Sequence, residues 1–284
     1  MLTARRLTAF TIERALRRLA GADHICTSGD YGRIVGLIDD RAILERYALS
    51  KTWCSIENQF FMDFFAARAG GTYLDIGANI GLTTIPVARN PAISCLAFEP
   101  EPFNFACLRK NVRNHCGANV RLFQLALSDR CGHLDLRLSP MNKGDHRLTG
   151  SRDKVSDDDA WPVIRVDTKR LDDFVIGQMI APPLAAKIVA QGSELHIIAG
   201  GRDTLCKAEA LVVEFHPHLL AQAAPPWDSF YSFLSSNFAR AALTVGGERS
   251  EPHWQGMAEV NARLQAIMRA APHADVYFHV FLSK

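Results

Sequence analysis

The chain has 284 residues, 48% hydrophobic and 22% charged, enough apolar material for one elaborated α/β domain. Lys plus Arg number 32 against 30 Asp plus Glu, a net charge of +2, which gives no electrostatic case for nucleic acid as the main partner. Seven scattered cysteines without a C-x-x-C pair argue against a disulfide scaffold or a zinc site and fit a reducing cytoplasm, and no apolar run approaches the roughly 20 residues of a membrane span.

Residues 1–55 read as a mixed N-terminal extension. A basic amphipathic helix is expected near 3–20, with Arg5, Arg6, Arg14, Arg17 and Arg18 among apolar residues. The later arginines break any signal-peptide core, so the helix is expected to pack on the domain, with a membrane-surface helix as the alternative. Short strand-like runs follow at Arg33–Ile38 and Ala42–Leu49. The second unit, 56–284, opens with a helix over Ile56–Arg68, where Ile56, Phe60, Phe61, Phe64 and Phe65 recur at helical spacing and Ser55 suits the N-cap. Then the pattern alternates. Strands are predicted at Tyr73–Ile76, Ile93–Phe98 and Val120–Leu127. Helices are predicted over Ile80–Arg89, kinked at Pro86, and from Pro102 to about Asn114. His133–Leu138 alternates like a half-exposed strand. Residues 139–160 read as a long polar loop, whose Asp157-Asp158-Asp159 run is a solvated stretch without metal-ligand spacing. Further strands are expected at Val163–Val166, Leu184–Val189, Ala210–Phe215 and Val276–Leu282. Helices are expected over Thr168–Ile176, from about Ser193, and near Trp227–Ala239 and Met257–Ala270. Such alternation argues a mainly parallel sheet covered on both faces.

The strongest motif is Tyr73-Leu74-Asp75-Ile76-Gly77-Ala78-Asn79-Ile80-Gly81, at the first strand-turn-helix. Ligands of open α/β sheets bind at such carboxyl strand ends. Gly77 and Gly81 let the backbone approach a ligand, and Asp75 can orient the turn or meet a cationic group. A dinucleotide turn, G-x-G-x-x-G, would need glycine at Asn79 and Leu82, so a nicotinamide or flavin cofactor fits poorly. D-x-G-x-x-x-G better suits S-adenosylmethionine, which has no phosphate. Phe98-Glu99-Pro100 ends the next strand, 18 residues beyond Gly81, where a carboxylate can accept from both ribose hydroxyls.

LDIGANIGL, AFEPEPFNFACLRKNV and LALSDRCGHLDL, followed in order by MNKGDHRL, VDTKRLDDF, KIVAQGSELHIIAGG and VVEFHP, resemble the FkbM-type family of S-adenosylmethionine-dependent methyltransferases. The resemblance covers roughly Glu57 to Pro217. It implies a Rossmann-like class I methyltransferase fold: a mainly parallel seven-stranded sheet with helices on both faces, preceded here by the N-terminal extension. It also implies S-adenosylmethionine as cofactor and a small-molecule or sugar hydroxyl as acceptor. By that likeness Asp75, Gly77, Ala78, Asn79 and Gly81 line the methionine end. Glu99, with Pro100 after it, holds the ribose. Ser128 and Asp129 lie near the adenine, and Glu57 faces the cofactor from its helix.

In the fourth strand the family pattern reads K-I-D-x-[EQ]-G-x-E. This chain has Lys187-Ile188-Val189-Ala190-Gln191-Gly192-Ser193-Glu194, with Val189 where a carboxylate is expected. Valine neither accepts a proton nor binds a metal. Replacement proton acceptors are His146 in the polar loop and Glu214 and His216 at the end of the fifth strand. Lys187 reads as a buried cation paired with Glu214 or Glu194. The leading expectation is an O-methyltransferase without a metal. The alternative is a cofactor-binding homologue that has lost catalysis and acts as a regulator or partner subunit.

Overall fold

The computed structural model describes residues 2–149, 160–221, 227–246 and 251–284. The extension forms α1 (Leu2–Leu19), the hairpin β1 (His24–Gly29) and β2 (Gly32–Leu37), and α2 (Ile43–Ser50). Residues 42–49, expected as a strand, are therefore helical. Ile43, Leu44, Tyr47 and Ala48 are buried at helical spacing. The Asp40 carboxylate accepts from the N–H groups of Ala42, Ile43 and Leu44, each at 3.0 Å, and so satisfies donors that a helix start leaves over.

The remaining chain runs α3 (Ser55–Ala66), β3 (Gly71–Ile76), α4 (Thr84–Ala88), β4 (Ile93–Phe98), α5 (Pro102–His115), β5 (Val120–Phe123), β6 (Ala126–Leu127), β7 (Gly132–Arg137), β8 (Arg147–Thr149) and β9 (Val163–Lys169). It continues through α6 (Leu171–Phe174), β10 (Leu184–Ile188), α7 (Glu194–Gly200), α8 (Arg202–Leu205), β11 (Ala210–Phe215) and α9 (Pro217–Ala221). It closes with α10 (Trp227–Asn237), β12 (Arg240–Val245), β13 (Gln255–Gly256), α11 (Met257–Ala270) and β14 (Phe278–Ser283).

Several expectations change in detail. The strand expected over Val120–Leu127 splits: β5 stays in the main sheet, while β6 pairs with β9 in a second sheet ordered β6-β9-β7-β8. Thr168 and Lys169 belong to that pairing, so the following helix starts only at Leu171. The helix expected over Ile80–Arg89 shrinks to α4, because the residues before it form the turn after β3. Pro86 then falls near the helix start, where its missing N–H costs little. The polar loop contains β8, and its Asp157–Asp159 run lies outside the described residues.

The main sheet has the order β13-β12-β14-β11-β10-β3-β4-β5. Strands β5, β4, β3, β10 and β11 are parallel, and β14 runs antiparallel between β11 and β12. The two-residue β13 is an eighth strand, beyond the seven expected. This is the Rossmann-like layout of a class I methyltransferase. From β3 the chain builds outward to β4 and β5, then returns to add β10 on the other side. The crevice at this switch is where such sheets bind ligands.

Alternation along the strands feeds a core on each face. Tyr73, Cys95, Val212 and Phe281 pack with Phe61 and Phe65 of α3, while Leu74, Leu96, Leu211 and Leu282 pack with Leu195 and Phe233. A third cluster joins the extension to the turn after β3, with Ile34, Leu44 and Tyr47 against Ile80, Leu82 and Leu108. Asn111 of α5 pins that junction. Its side-chain oxygen accepts from Val35 N–H, and its amide donates to the carbonyls of Val35 and Ile80, all at 2.8 Å.

Candidate cofactor and methyl-transfer site

The turn after β3 is fixed by the neighbouring strand. The N–H groups of Gly77 and Ala78 both donate to the Phe98 carbonyl, at 3.0 and 2.9 Å. Gly77 has φ +80, and a Cβ there would stand 1.9 Å from the Val189 carbonyl oxygen. Only glycine meets both demands. Asn79 also takes a left-handed conformation, φ 51. Its side-chain oxygen accepts from Ile80 N–H, and its amide donates to the Lys143 carbonyl at 2.9 Å.

Glu99 closes the turn from β4. It is buried, and its two carboxylate oxygens accept from the N–H groups of Asn79 and Glu101, at 2.9 and 3.0 Å. Each oxygen keeps acceptor capacity to spare. Burial pushes its pKa up to about 7 against the lowering effect of those two N–H groups. Gly77, Ala78, Asn79, Glu99 and Pro100 line one end of a cleft of about 1160 Å³. That volume exceeds the usual range of a single small-molecule site, so a nucleoside cofactor and an acceptor fit together. A glycine cradle beside a carboxylate with free lone pairs suits a ribosyl cofactor.

Glu57, His146, Glu214 and His216 line the same cleft. Asp75, Gly81, Ser128 and Asp129 are not among its lining residues. Asp75 is fully buried beneath the turn. One oxygen accepts from the hydroxyls of Thr83 and Thr84, at 2.8 and 2.6 Å, and the other meets Lys187 Nζ at 3.1 Å. Lys187 also donates to the Gly77 carbonyl at 2.9 Å. Its partner is thus Asp75, not Glu214 or Glu194. Gly81, at φ +94, packs against Leu108 and Ile85 and shapes the turn from behind. Asp129 faces His196 at 3.2 Å, and Leu125, Ala126 and Leu127 form the cleft wall in place of Ser128 and Asp129.

In the cleft wall Glu57 and Glu214 are joined by a histidine that sequence reading missed. His279 of β14 sits opposite Glu214 of β11 in the antiparallel register. Its Nδ1 pairs with Glu57 Oε1, and its Nε2 is 4.0 Å from Glu214 Oε1. Burial alone would discharge His279, but the hydrogen bond and charge of Glu57 outweigh it and raise its pKa. Burial would raise Glu57, but that bond together with the charges of His279 and Lys187 lowers it. Burial raises Glu214, with only partial relief from His279 and Lys187. The second Glu214 oxygen accepts from Gln191 Nε2 at 2.8 Å. Glu194 holds the loop that presents Gln191, accepting from Ala190 and Gly192 N–H at 2.7 and 2.9 Å. Burial and the charge of Glu214 push Glu194 up to about 8.

The two candidate histidines differ. His146 Nδ1 accepts from Ser139 N–H at 3.0 Å, which puts the neutral ring's proton on Nε2. Burial, reinforced by Lys143, lowers its pKa to about 4. His146 therefore offers the cleft a donor and not a base. His216 meets Asp275 through Nε2 at 3.4 Å, its Nδ1 is buried, and burial lowers its pKa.

The Methyltransferase FkbM domain matches residues 75–238, more than half of the chain. The chain belongs to the FkbM methyltransferase family, and is an S-adenosylmethionine-dependent methyltransferase. It is 30% identical over 175 residues to the 2-O-methyltransferase NoeI of Sinorhizobium fredii, covering 57% of this chain and 70% of that one. It is 30% identical over 145 residues to Methyltransferase 1 of Beauveria bassiana, covering 45% and 57%. It is 29% identical over 160 residues to the 31-O-demethyl-FK506 methyltransferase FkbM of Streptomyces tacrolimicus, covering 48% and 61%. The chain thus spans less than two thirds of the last two relatives. Among the described residues no helix is long and apolar enough to cross a membrane.

Proposed function

We propose that the chain methylates a hydroxyl of a small molecule or sugar, with Glu214 taking the proton. The observation that carries this reading is a buried carboxylate of raised pKa on the wall of the cofactor cleft, in a strand whose neighbour carries Val189 in place of the family's acid. Two of the similar proteins are named for transfer to oxygen, which supports a hydroxyl acceptor.

S-adenosylmethionine supplies a methyl group on an already cationic sulfur, so no acid is needed to expel the leaving group. The chain has to align the acceptor and receive its proton. Glu214 accepts that proton at the carboxylate. Gln191 orients the group, and His279, held by Glu57, balances its charge. His146 donates a hydrogen bond to the acceptor from Nε2, and Val189 gives an apolar patch beside the reacting atoms. Glu57, Gly77, Ala78, Asn79, Glu99 and Pro100 hold the cofactor, with Glu99 on the ribose, while Asp75 and Gly81 support them from beneath.

Incubation with methyl-labelled cofactor and a panel of hydroxylated sugars and small molecules tests the reading. Label should appear as an ether in at least one acceptor. Tight cofactor binding with no transfer to any of them would instead favour a regulatory homologue that has lost catalysis.

The cofactor grip has its own test. Glu99→Ala should weaken S-adenosylhomocysteine binding by about 1–3 kcal/mol. The ionised carboxylate is the form that accepts both hydroxyls, and burial holds its pKa at about 7. Wild-type affinity should therefore rise with pH through about 7 and level off about one unit above, while Glu99→Gln flattens that dependence. A calorimetric affinity in Glu99→Ala equal to wild type would put the ribose elsewhere.

A further inference from the structure

The cofactor end takes up only part of the cleft. The N-terminal extension and the loop after β7 supply another part of its wall, and four cations line it there: Arg6 of α1, Arg41 before α2, Arg46 of α2 and Lys143 of the loop. Acids share this rim, but each has a partner. Glu45 is bonded to Arg14 at 2.6 Å, Asp145 to Arg147 at 2.7 Å, and Asp275 faces His216. The remaining cleft acids are engaged deeper, Glu57 by His279, Glu99 by two backbone N–H groups and Glu214 by Gln191. Among the described residues none of the four rim cations forms an ion pair.

Their positions are set by the fold. Arg46 lies over the Trp53 ring, 5.9 Å from its centroid. The Lys143 carbonyl accepts from both Asn79 and Asn104 amides, at 2.9 and 2.8 Å, which ties this lysine to the cofactor turn. Gly144 abuts Ile43, so loop and extension meet over the cleft. The crowding of positive charge extends to Lys51, whose pKa is lowered by burial and then by Arg6. A cleft whose acids are engaged and whose four cations form no ion pair among the described residues concentrates anions there. Guanidinium forks match carboxylate, sulfate and phosphate oxygens.

We propose that the acceptor is itself an anion: a hydroxylated small molecule or sugar bearing a carboxylate, sulfate or phosphate group, gripped by Arg41, Arg46 and Lys143 while its hydroxyl reaches Glu214. This rests on the O-methylation reading above, and two readouts keep the two ideas apart. The first is binding. The full chain, saturated with S-adenosylhomocysteine, is titrated with inorganic phosphate and with sulfate at ionic strength matched by sodium chloride, and followed by melting temperature. Both anions should stabilise it beyond the chloride control. The apparent affinity should fall about tenfold or more in Arg41→Gln/Arg46→Gln, with cofactor-product affinity unchanged. Arg41→Gln alone, at an exposed position, should give a smaller fall in the same direction and covers the case of a double variant that folds poorly. No anion-specific stabilisation, or stabilisation that survives in both variants, overturns the proposal. The second readout is labelled methyl transfer to glucose, glucuronate and glucose 6-phosphate. Preference for the charged sugars supports it. Transfer to glucose alone overturns it and leaves O-methylation standing. Arginine-dependent anion binding with no transfer to any hydroxyl removes the O-methylation reading and leaves the anion site.

Discussion

Replacing Lys187 by methionine should cost about 3–5 kcal/mol of folding stability, a large share of what a domain of this size holds in reserve. The lysine and Asp75 are almost wholly inaccessible, and their 3.1 Å contact lies under the cofactor turn. Without the ammonium, Asp75 keeps two threonine hydroxyls but loses the only counter-charge it has among the described residues, and the Gly77 carbonyl loses a donor. An unpaired buried carboxylate is far worse than no ion pair. The double variant Lys187→Met/Asp75→Asn should therefore recover part of the loss, because it removes the charge as well as its partner. Urea unfolding gives both numbers. A loss under about 1 kcal/mol for Lys187→Met would mean that water or a rearranged neighbour reaches Asp75, and the turn is not braced as described.

Glu214→Gln should lower kcat by about 10²–10⁴-fold, the usual worth of a positioned proton acceptor. The amide keeps the size of the side chain, so cofactor-product affinity should stay close to wild type. In the wild-type chain the rate should fall as pH drops through the raised pKa of Glu214, since only the ionised carboxylate can receive the proton. In the variant that limb should disappear. His146→Gln should cost much less, because its Nδ1 lone pair is already taken by Ser139. Val189→Asp is the companion test. If Glu214 does the work, a second carboxylate beside it adds repulsion and lowers activity. A large gain from Val189→Asp, together with an unchanged rate in Glu214→Gln, would move the proton acceptor to position 189 and mark the natural chain as impaired.

The parts of this site that could be read from sequence are those where neighbours in the chain are neighbours in space. The turn from Asp75 to Gly81 and the Glu99 strand end each act within a few residues, and their spacing carries their geometry. Asp75 and Gly81 belong to that motif as supports beneath the turn, a distinction spacing cannot make. Lys187 was recognisable as a buried cation, but its choice of Asp75 depends on β10 lying beside β3. His279 was invisible for the same reason, because nothing local to β14 announces that it will face Glu214 across a ladder. Residues 42–49 failed differently. A short apolar run suits a strand as well as a helix, and the deciding feature, a capping carboxylate at Asp40, lay just outside it. The split between β5 and β6 follows from a change of sheet that no periodicity records.

The extension before α3 has a wider consequence. The segment that defines family membership begins at Asp75, yet part of the cleft wall, from Arg6 to Glu57, comes from residues ahead of it. If the anion site proposed above holds, acceptor choice is written partly in a stretch of polypeptide that lies ahead of the family's shared segment. A change confined to that leading stretch would then alter which molecule is methylated and leave the turn after β3 as it is.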